Sequence, residues 1–254
     1  MKRFVLAAIV PVLITITSAC GGSGSPALRV GTLSDSKPNA YSANGRFTGF
    51  DNELLRAIAD KQGMKLEFVA TDFSAVLGQV ANGQFDIGSA GIAQTDARKK
   101  TVDFSAAYNY ESLGIEAAPQ APVTDENSLA GKRVGVVQGT ISDTWLSGTV
   151  PAAQVVRFPS DAAVVSALTT RSVDAAVFDK ASAEQYATEN PALKVTKSIT
   201  TTVPHGYAVR KGDGELLDKI NGGLKQVIAD GTWTRLHQQF EPGEAVPAEF
   251  RAGQ

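Results

Sequence analysis

One cysteine, two histidines and no long basic run are the scarcities that narrow this 254-residue chain most. A single cysteine, Cys20, allows no internal disulfide. The histidines, His205 and His237, stand in unrelated contexts without an H-x-x-x-H or H-E-x-x-H spacing, so no metal is expected. His237 falls in a terminal amphipathic segment and is expected at the surface. No G-x-S-x-G elbow offers a nucleophile for acyl transfer. Gly131-Lys132-Arg133 lacks the earlier glycine and the following Ser or Thr of a phosphate loop. Nothing pairs a nucleophile with a base, so neither an enzyme nor a cofactor is expected. The formal charge is −2, and leaving out residues 1–19, which carry Lys2 and Arg3 and no acid, makes it more negative by two. That argues against a nucleic-acid surface.

Long apolar runs are scarce too. Phe4–Ile16 is one, and at 13 residues it is too short to span a bilayer comfortably. Lys2 and Arg3 precede it and the small residues Thr17, Ser18 and Ala19 follow, which fits a signal peptide over residues 1–19. Ser18-Ala19-Cys20 resembles a bacterial lipobox, although Thr17 stands where Leu is usual; Cys20 is then the acylated mature N-terminus. A plain signal peptide with a stray thiol is the alternative. Gly21–Pro26 reads as a flexible tether. The protein is expected to be exported and lipid-anchored on the outer face of the cytoplasmic membrane, in the cell envelope or periplasm.

What is there is an ordinary globular composition, 43% hydrophobic and 20% charged, in a chain long enough for one large domain or two modest ones. Leu28–Thr32 reads as a strand, and Ser34–Tyr41 as a turn-rich stretch broken by Pro38. Leu54, Leu55, Ile58 and Ala59 share one helix face, with Gly63 at the C′ place. A strand at Met64–Phe68, a helix marked by Val76, Leu77 and Val80, and a strand at Phe85–Gly88 complete a parallel α/β pattern. A second unit repeats the plan. Arg133-Val134-Gly135-Val136 is similar to Arg29-Val30-Gly31-Thr32, and Asp174 and Asp86 each lie six residues after a helical aliphatic, Leu168 and Val80. Strands at Val155–Phe158 and Tyr207–Val209 are expected. So are helices at Asp161–Leu168, at Leu216–Ile228 and around Trp233, Leu236 and Phe240.

The stretch Ser89–Ser105, SAGIAQTDARKKTVDFS, carries the most chemistry. Its small residues let backbone approach a ligand, and Thr95 and Asp96 can start a helical turn bearing Arg98. An Arg fork matches a carboxylate with two parallel hydrogen bonds. A solvated basic helix end explains the spacing equally well. Gln138-Gly139-Thr140 follows the strand Val134–Val137 and puts free amides and a hydroxyl at a strand-to-helix turn, although a plain tight turn has the same composition. Asp179 ends a strand, Val177-Phe178-Asp179, as a helix N-cap or a ligand-facing acid.

The run from Gly91 to Ser105, G-I-A-Q-T-D-A-R-K-K-T-V-D-F-S, resembles the signature of the family 3 extracellular solute-binding proteins, the amino-acid receptors of ABC importers. Similarity extends from about Leu28 to Phe240, and V-G-V-V-Q-G-T at 134–140 is a second mark. The resemblance implies a type II periplasmic-binding-protein fold, two α/β lobes on a two-strand hinge with the ligand in the cleft. Lobe 1 is then 27–111 plus 206–254, and lobe 2 is 112–205. It implies that Arg98, Thr140 and the amides around Gly139 hold the substrate carboxylate, with Gly91 at the close approach. Asp179 holds the α-ammonium, and Phe73 packs on the substrate side chain. Ala93 stands where the family usually has Ser or Thr for the ammonium. Leu33 and Ser36 align with an acid and an aromatic in the turn that selects the side chain. Tyr108 and Tyr110 are read as core or hinge packing. A polar L-amino acid is implied, glutamine-like or acidic first, delivered to a membrane permease by a monomeric receptor. Two rivals are a cyclohexadienyl or arogenate dehydratase on the same fold and a ligand sensor for a membrane kinase.

Overall fold

The computed structural model describes residues 26–118 and 120–253; Cys20, the expected leader and the tether up to Ser25 lie outside them. The chain runs β1 (Leu28–Thr32), β2 (Asp35–Ser36), β3 (Ala40–Ala43), β4 (Arg46–Thr48), α1 (Phe50–Gln62), β5 (Leu66–Ala70), α2 (Phe73–Ala81), β6 (Ile87–Ser89), α3 (Asp96–Lys99) and β7 (Val102–Phe104). It continues through β8 (Asn109–Ala117), β9 (Arg133–Val137), α4 (Ile141–Thr149), β10 (Gln154–Phe158), α5 (Asp161–Thr169), β11 (Ala175–Asp179), α6 (Lys180–Glu189) and β12 (Lys194–His205). It ends with β13 (Ala208–Arg210), α7 (Gly214–Ala229) and α8 (Thr232–Phe240).

Two mixed sheets result, ordered β5-β1-β6-β13-β7 and β10-β9-β11-β8-β12. In the first, β1 is parallel to β5 and β6; in the second, β9 is parallel to β10 and β11. The chain passes from one sheet to the other between β7 and β8 and returns between β12 and β13. The crossing strands are paired side by side, Tyr110 opposite Pro204 and Asn109 opposite His205. This is the two-lobed α/β architecture the motifs implied.

The repeat is physical. In the first sheet the Arg29 amide donates to the Asp86 carboxylate (2.7 Å), and the Asp86 amide donates back to the Arg29 carbonyl (2.8 Å). In the second, Arg133 and Asp174 do the same at 2.9 and 2.8 Å. Each acid closes the start of a central strand onto the strand beside it.

α1, α7 and α8 cover one face of the first sheet, burying Leu54, Leu55, Ile58, Ile220 and Trp233. Full burial of side chains this size stabilises by about 1.5–3 kcal/mol each. Gly63 ends α1 in the left-handed conformation expected of a C′ glycine. The Trp233 indole donates to the Tyr108 carbonyl (2.8 Å), tying the tail to the first crossing. Tyr108 is fully buried and stacks on Tyr207 with centroids 4.4 Å apart, so it is core. Tyr110 is exposed beside Phe250. His237 is not at the surface as expected: it is 2% exposed and stacks on Trp233 at 4.8 Å. Its helix is buried on the side that meets Phe50, so the histidine ring serves as an aromatic core residue.

Ser34–Tyr41, expected as turn, contains β2 and the first half of β3, which with β4 form a three-stranded meander. Strands this short show no period-2 pattern. The 12-residue β12 was hidden for another reason: its Thr and Lys residues belong to an edge strand.

Glu116 is fully buried in β8, between Ala176 of β11 and Val195 of β12, and neither carboxyl oxygen has a hydrogen-bond partner. Burial pushes its pKa from 4.5 up to about 8. The raised value means the native state holds a proton that the unfolded chain releases. Stability is therefore complete below about pH 4.5 and is lost as pH rises through about 8. Glu116→Leu should raise the melting temperature at pH 8.5 by several degrees, at roughly 2–4 °C per kcal/mol. The gain should be smaller at pH 4.5, where only the unpartnered neutral carboxyl is removed, and equal shifts in melts at the two pH values would contradict the assignment.

Candidate functional site

The carboxyl ends of β1 and β6 face those of β9 and β11, and the cleft between the sheets is lined from both sides. Its walls include Leu33, Ser36, Phe73, Gly91, Arg98, Thr140, Asp161 and Asp179. One apolar cluster crosses from Phe73 and Ala90 to Val137 and Phe178 and floors this space.

Arg98 sits in the single turn of α3, which Thr95 caps by accepting from the Arg98 amide (3.2 Å). Its guanidinium lies over the Phe73 ring, 5.1 Å from the centroid. Nη1 donates to the Ala93 carbonyl (2.8 Å) on its own side, and Nη2 reaches across to the Gly139 carbonyl (2.9 Å). Opposite, Asp179 heads α6 without a side-chain cap bond and accepts from the Asn39 amide of the other lobe (3.3 Å). Its candidate N-cap role is thus not used. Gly91 adopts φ +56°, and a Cβ there would stand 3.7 Å from carboxylate oxygens of both Asp179 and Asp51. Its amide donates to Asp51, a buried acid whose pKa burial raises to about 6.

Thr140 lines the cleft and caps α4, accepting from the Asp143 amide (3.2 Å) while its hydroxyl donates to the Val137 carbonyl (2.8 Å). The expectation of free turn amides needs correction. The Gln138 amide donates to Phe158, the Gly139 amide to the Asp143 carboxylate (3.0 Å), and the Thr140 amide to Val137. What faces the cleft from this turn is the Gly139 carbonyl, held by the left-handed glycine (φ +79°). Ala93 is fully buried and forms a bridge with His205, so it serves the site through its carbonyl alone.

Three cleft residues had no mark in the sequence. Ser142, in the first turn of α4, and Ser182, in the first turn of α6, are buried, and neither hydroxyl has a partner among the described residues. A serine at the start of a helix is too common to signal a ligand. Asp161, at the head of α5, was read only as helix. Its carboxylate accepts from the Tyr186 hydroxyl (2.8 Å). Burial, more than any neighbour, pushes its pKa up to about 7, against the opposing hydrogen bonds from Tyr186 and Ser36. Burial likewise holds His205 below the usual histidine range, as a neutral ring. No group of three or more His, Cys, Asp or Glu among the described residues could hold a metal.

The cleft thus joins a guanidinium, an opposed carboxylate, an aromatic floor and two unpartnered hydroxyls, which suits a small zwitterion. Residues 28–242 match the bacterial extracellular solute-binding proteins, family 3. The chain belongs to this family. A probable histidine-binding protein of Neisseria gonorrhoeae is 29% identical to this solute-binding protein, over 97% of this chain and 99% of its own. The ABC transporter arginine-binding protein 1 of Escherichia coli is 27% identical, over 95% and 100%. Among solved structures, the ancestral amino acid-binding protein AncCDT-1, a precursor of cyclohexadienyl dehydratase, is 35% identical with a TM-score of 0.78, over 84% of this chain and 95% of that one. Both curated relatives are named for the amino acid they bind, and the second for its ABC transporter.

A buried hydroxyl without a partner costs about 1–3 kcal/mol. Ser142→Ala and Ser182→Ala should therefore leave the melting temperature of the ligand-free protein unchanged or raised, yet weaken amino-acid binding about 3–10-fold. Destabilisation with undiminished binding would assign both hydroxyls to the fold instead.

Proposed function

We propose that this protein captures a free polar L-amino acid between its two lobes, 27–111 with 206–254 and 112–205, and closes around it for an ABC permease. Arg98 and Ser142 hold the carboxylate against Thr140, which shapes the wall because its amide and hydroxyl both donate to Val137. Asp179 and Ser182 hold the ammonium, and Phe73 the aliphatic part of the side chain. The observation that carries the reading is the opposition of Arg98 on one lobe to Asp179 on the other, on walls contributed by both. Each charge-assisted bond contributes roughly 1.5–3 kcal/mol. Because neither lobe holds the whole set, the ligand favours the conformation that unites them. The cavity measures about 30 Å³, room for about two waters. An amino acid therefore reaches its place with the lobes further apart. Cys20 is the lipid anchor that keeps the receptor at the membrane.

Glutamine and glutamate were the first expectations for the ligand, and relatives named for histidine and arginine add basic side chains to the set. A second reading is a dehydratase of the cyclohexadienyl kind. It is favoured by the likeness to a precursor of such an enzyme and by Asp161, a cleft acid still half protonated near pH 7.

Calorimetric titration of the soluble chain with the twenty amino acids tests the receptor. At least one should bind, and Arg98→Ala should cost roughly 2–5 kcal/mol, as should Asp179→Ala. Prephenate turnover by the wild-type protein, with no amino acid bound, would replace the receptor with the enzyme.

A further inference from the structure

We propose that Asp161 reads the side chain of the bound amino acid, and that its carboxylate makes the site select a side chain ending in a cation. This rests on the receptor reading above and names its substrate class. A zwitterion's carboxylate and ammonium engage Arg98 and Asp179, which leaves Asp161 as the remaining charged group on the cleft wall. It comes from α5, a different element from those two, and so faces another part of the ligand.

The surroundings of Asp161 donate hydrogen bonds but no charge. From α6 the Tyr186 hydroxyl donates to it at 2.8 Å, and from β2 the Ser36 hydroxyl adds a second bond. The charged groups that act on it, Asp179 and Asp35, are both acids. Asp35 in turn accepts from the Ala162 amide (3.0 Å) through its carboxylate, and its carbonyl lies 3.0 Å from the same Tyr186 oxygen, so the whole cluster is fixed across the lobes. The basic residues of this region are committed elsewhere: Lys37 pairs with Glu189 and Arg157 with Asp143. A carboxylate held in this way and withdrawn from water is stabilised by a cation that the ligand brings. An acidic side chain would instead meet a like charge with no base to receive it. Leu33 and Phe73 on the same walls offer an apolar channel for an aliphatic stem. The acid that Leu33 lacks is thus supplied from the other lobe.

The test is a calorimetric panel of arginine, lysine, ornithine, histidine, glutamine and glutamate on the wild type, Asp161→Asn and Asp161→Ala, with thermal melts to confirm folding. A cationic amino acid should be the tightest wild-type ligand. Asp161→Asn should weaken it at least about 10-fold while changing glutamine less than about 3-fold. Glutamine or glutamate as the tightest ligand, or an equal loss for every ligand in both variants, would overturn the role of Asp161 while leaving the receptor intact. Silence of the folded wild type across the whole panel, or prephenate turnover that Asp161→Asn abolishes, would overturn both.

Discussion

The guanidinium of Arg98 spans the seam between the two sheets, and the rest of the cleft is arranged around that span. One nitrogen is held by the Ala93 carbonyl of its own lobe and another by the Gly139 carbonyl of the other. Hydrogen bonds from a charged donor to neutral carbonyls are worth less than those to a carboxylate. A ligand carboxylate that displaces one carbonyl therefore gains a charge pair and keeps the bridge. On the proposed reading the lobes are joined either by Arg98 directly or through a ligand that it holds. Phe73 beneath the guanidinium and Thr95 at the head of its helical turn keep the fork aimed along this line.

Around this single base the cleft gathers acids. Asp179 and Asp161 are on its walls, and Asp51 stands behind Gly91. Glu241, near the crossing strands, is raised to about 8, first by burial and then by Asp51. Burial raises Asp51 to about 6, Asp161 to about 7 and Glu241 to about 8, and like charge adds to it in each case. Asp161 among them meets only acids and neutral hydrogen-bond donors, an arrangement that a positively charged ligand would relieve. The same physics acts on Glu116 without any cleft, which shows that a raised acid alone does not mark a site.

The parts of this design visible in the sequence were those that depend on residue type and spacing. The α1 face, its Gly63 stop and the Thr95 cap follow from short-range pattern, and the Arg and Asp of the two sheets showed as a repeat although not as contacts. Arg98 and Asp179 were singled out through the family resemblance, since residue type and spacing alone fit a solvated helix end and an N-cap equally well. Asp161, Ser142 and Ser182 were not, because an acid or serine at a helix start satisfies the helix whether or not it also meets a ligand. Only the approach of the second lobe distinguishes the two. The turn at 138–140 failed in the opposite sense: its glycine and hydroxyl were seen, but Asp143 four residues on and Phe158 of the next strand occupy two of its amides. His237 failed because a polar residue type was taken as a sign of exposure, when its ring stacks like any other aromatic.

The central claim is that one ligand is held by both lobes at once. Pulsed electron–electron spin resonance tests it, with labels at Asn82 on α2's end and Thr149 on α4's end in a chain beginning after Cys20. The account predicts that a saturating amino-acid ligand collapses the distance distribution to a narrower and shorter one, and that Arg98→Ala abolishes the change. A distribution that stays the same when the ligand is demonstrably bound would contradict it, because the ligand would then be held by one lobe alone.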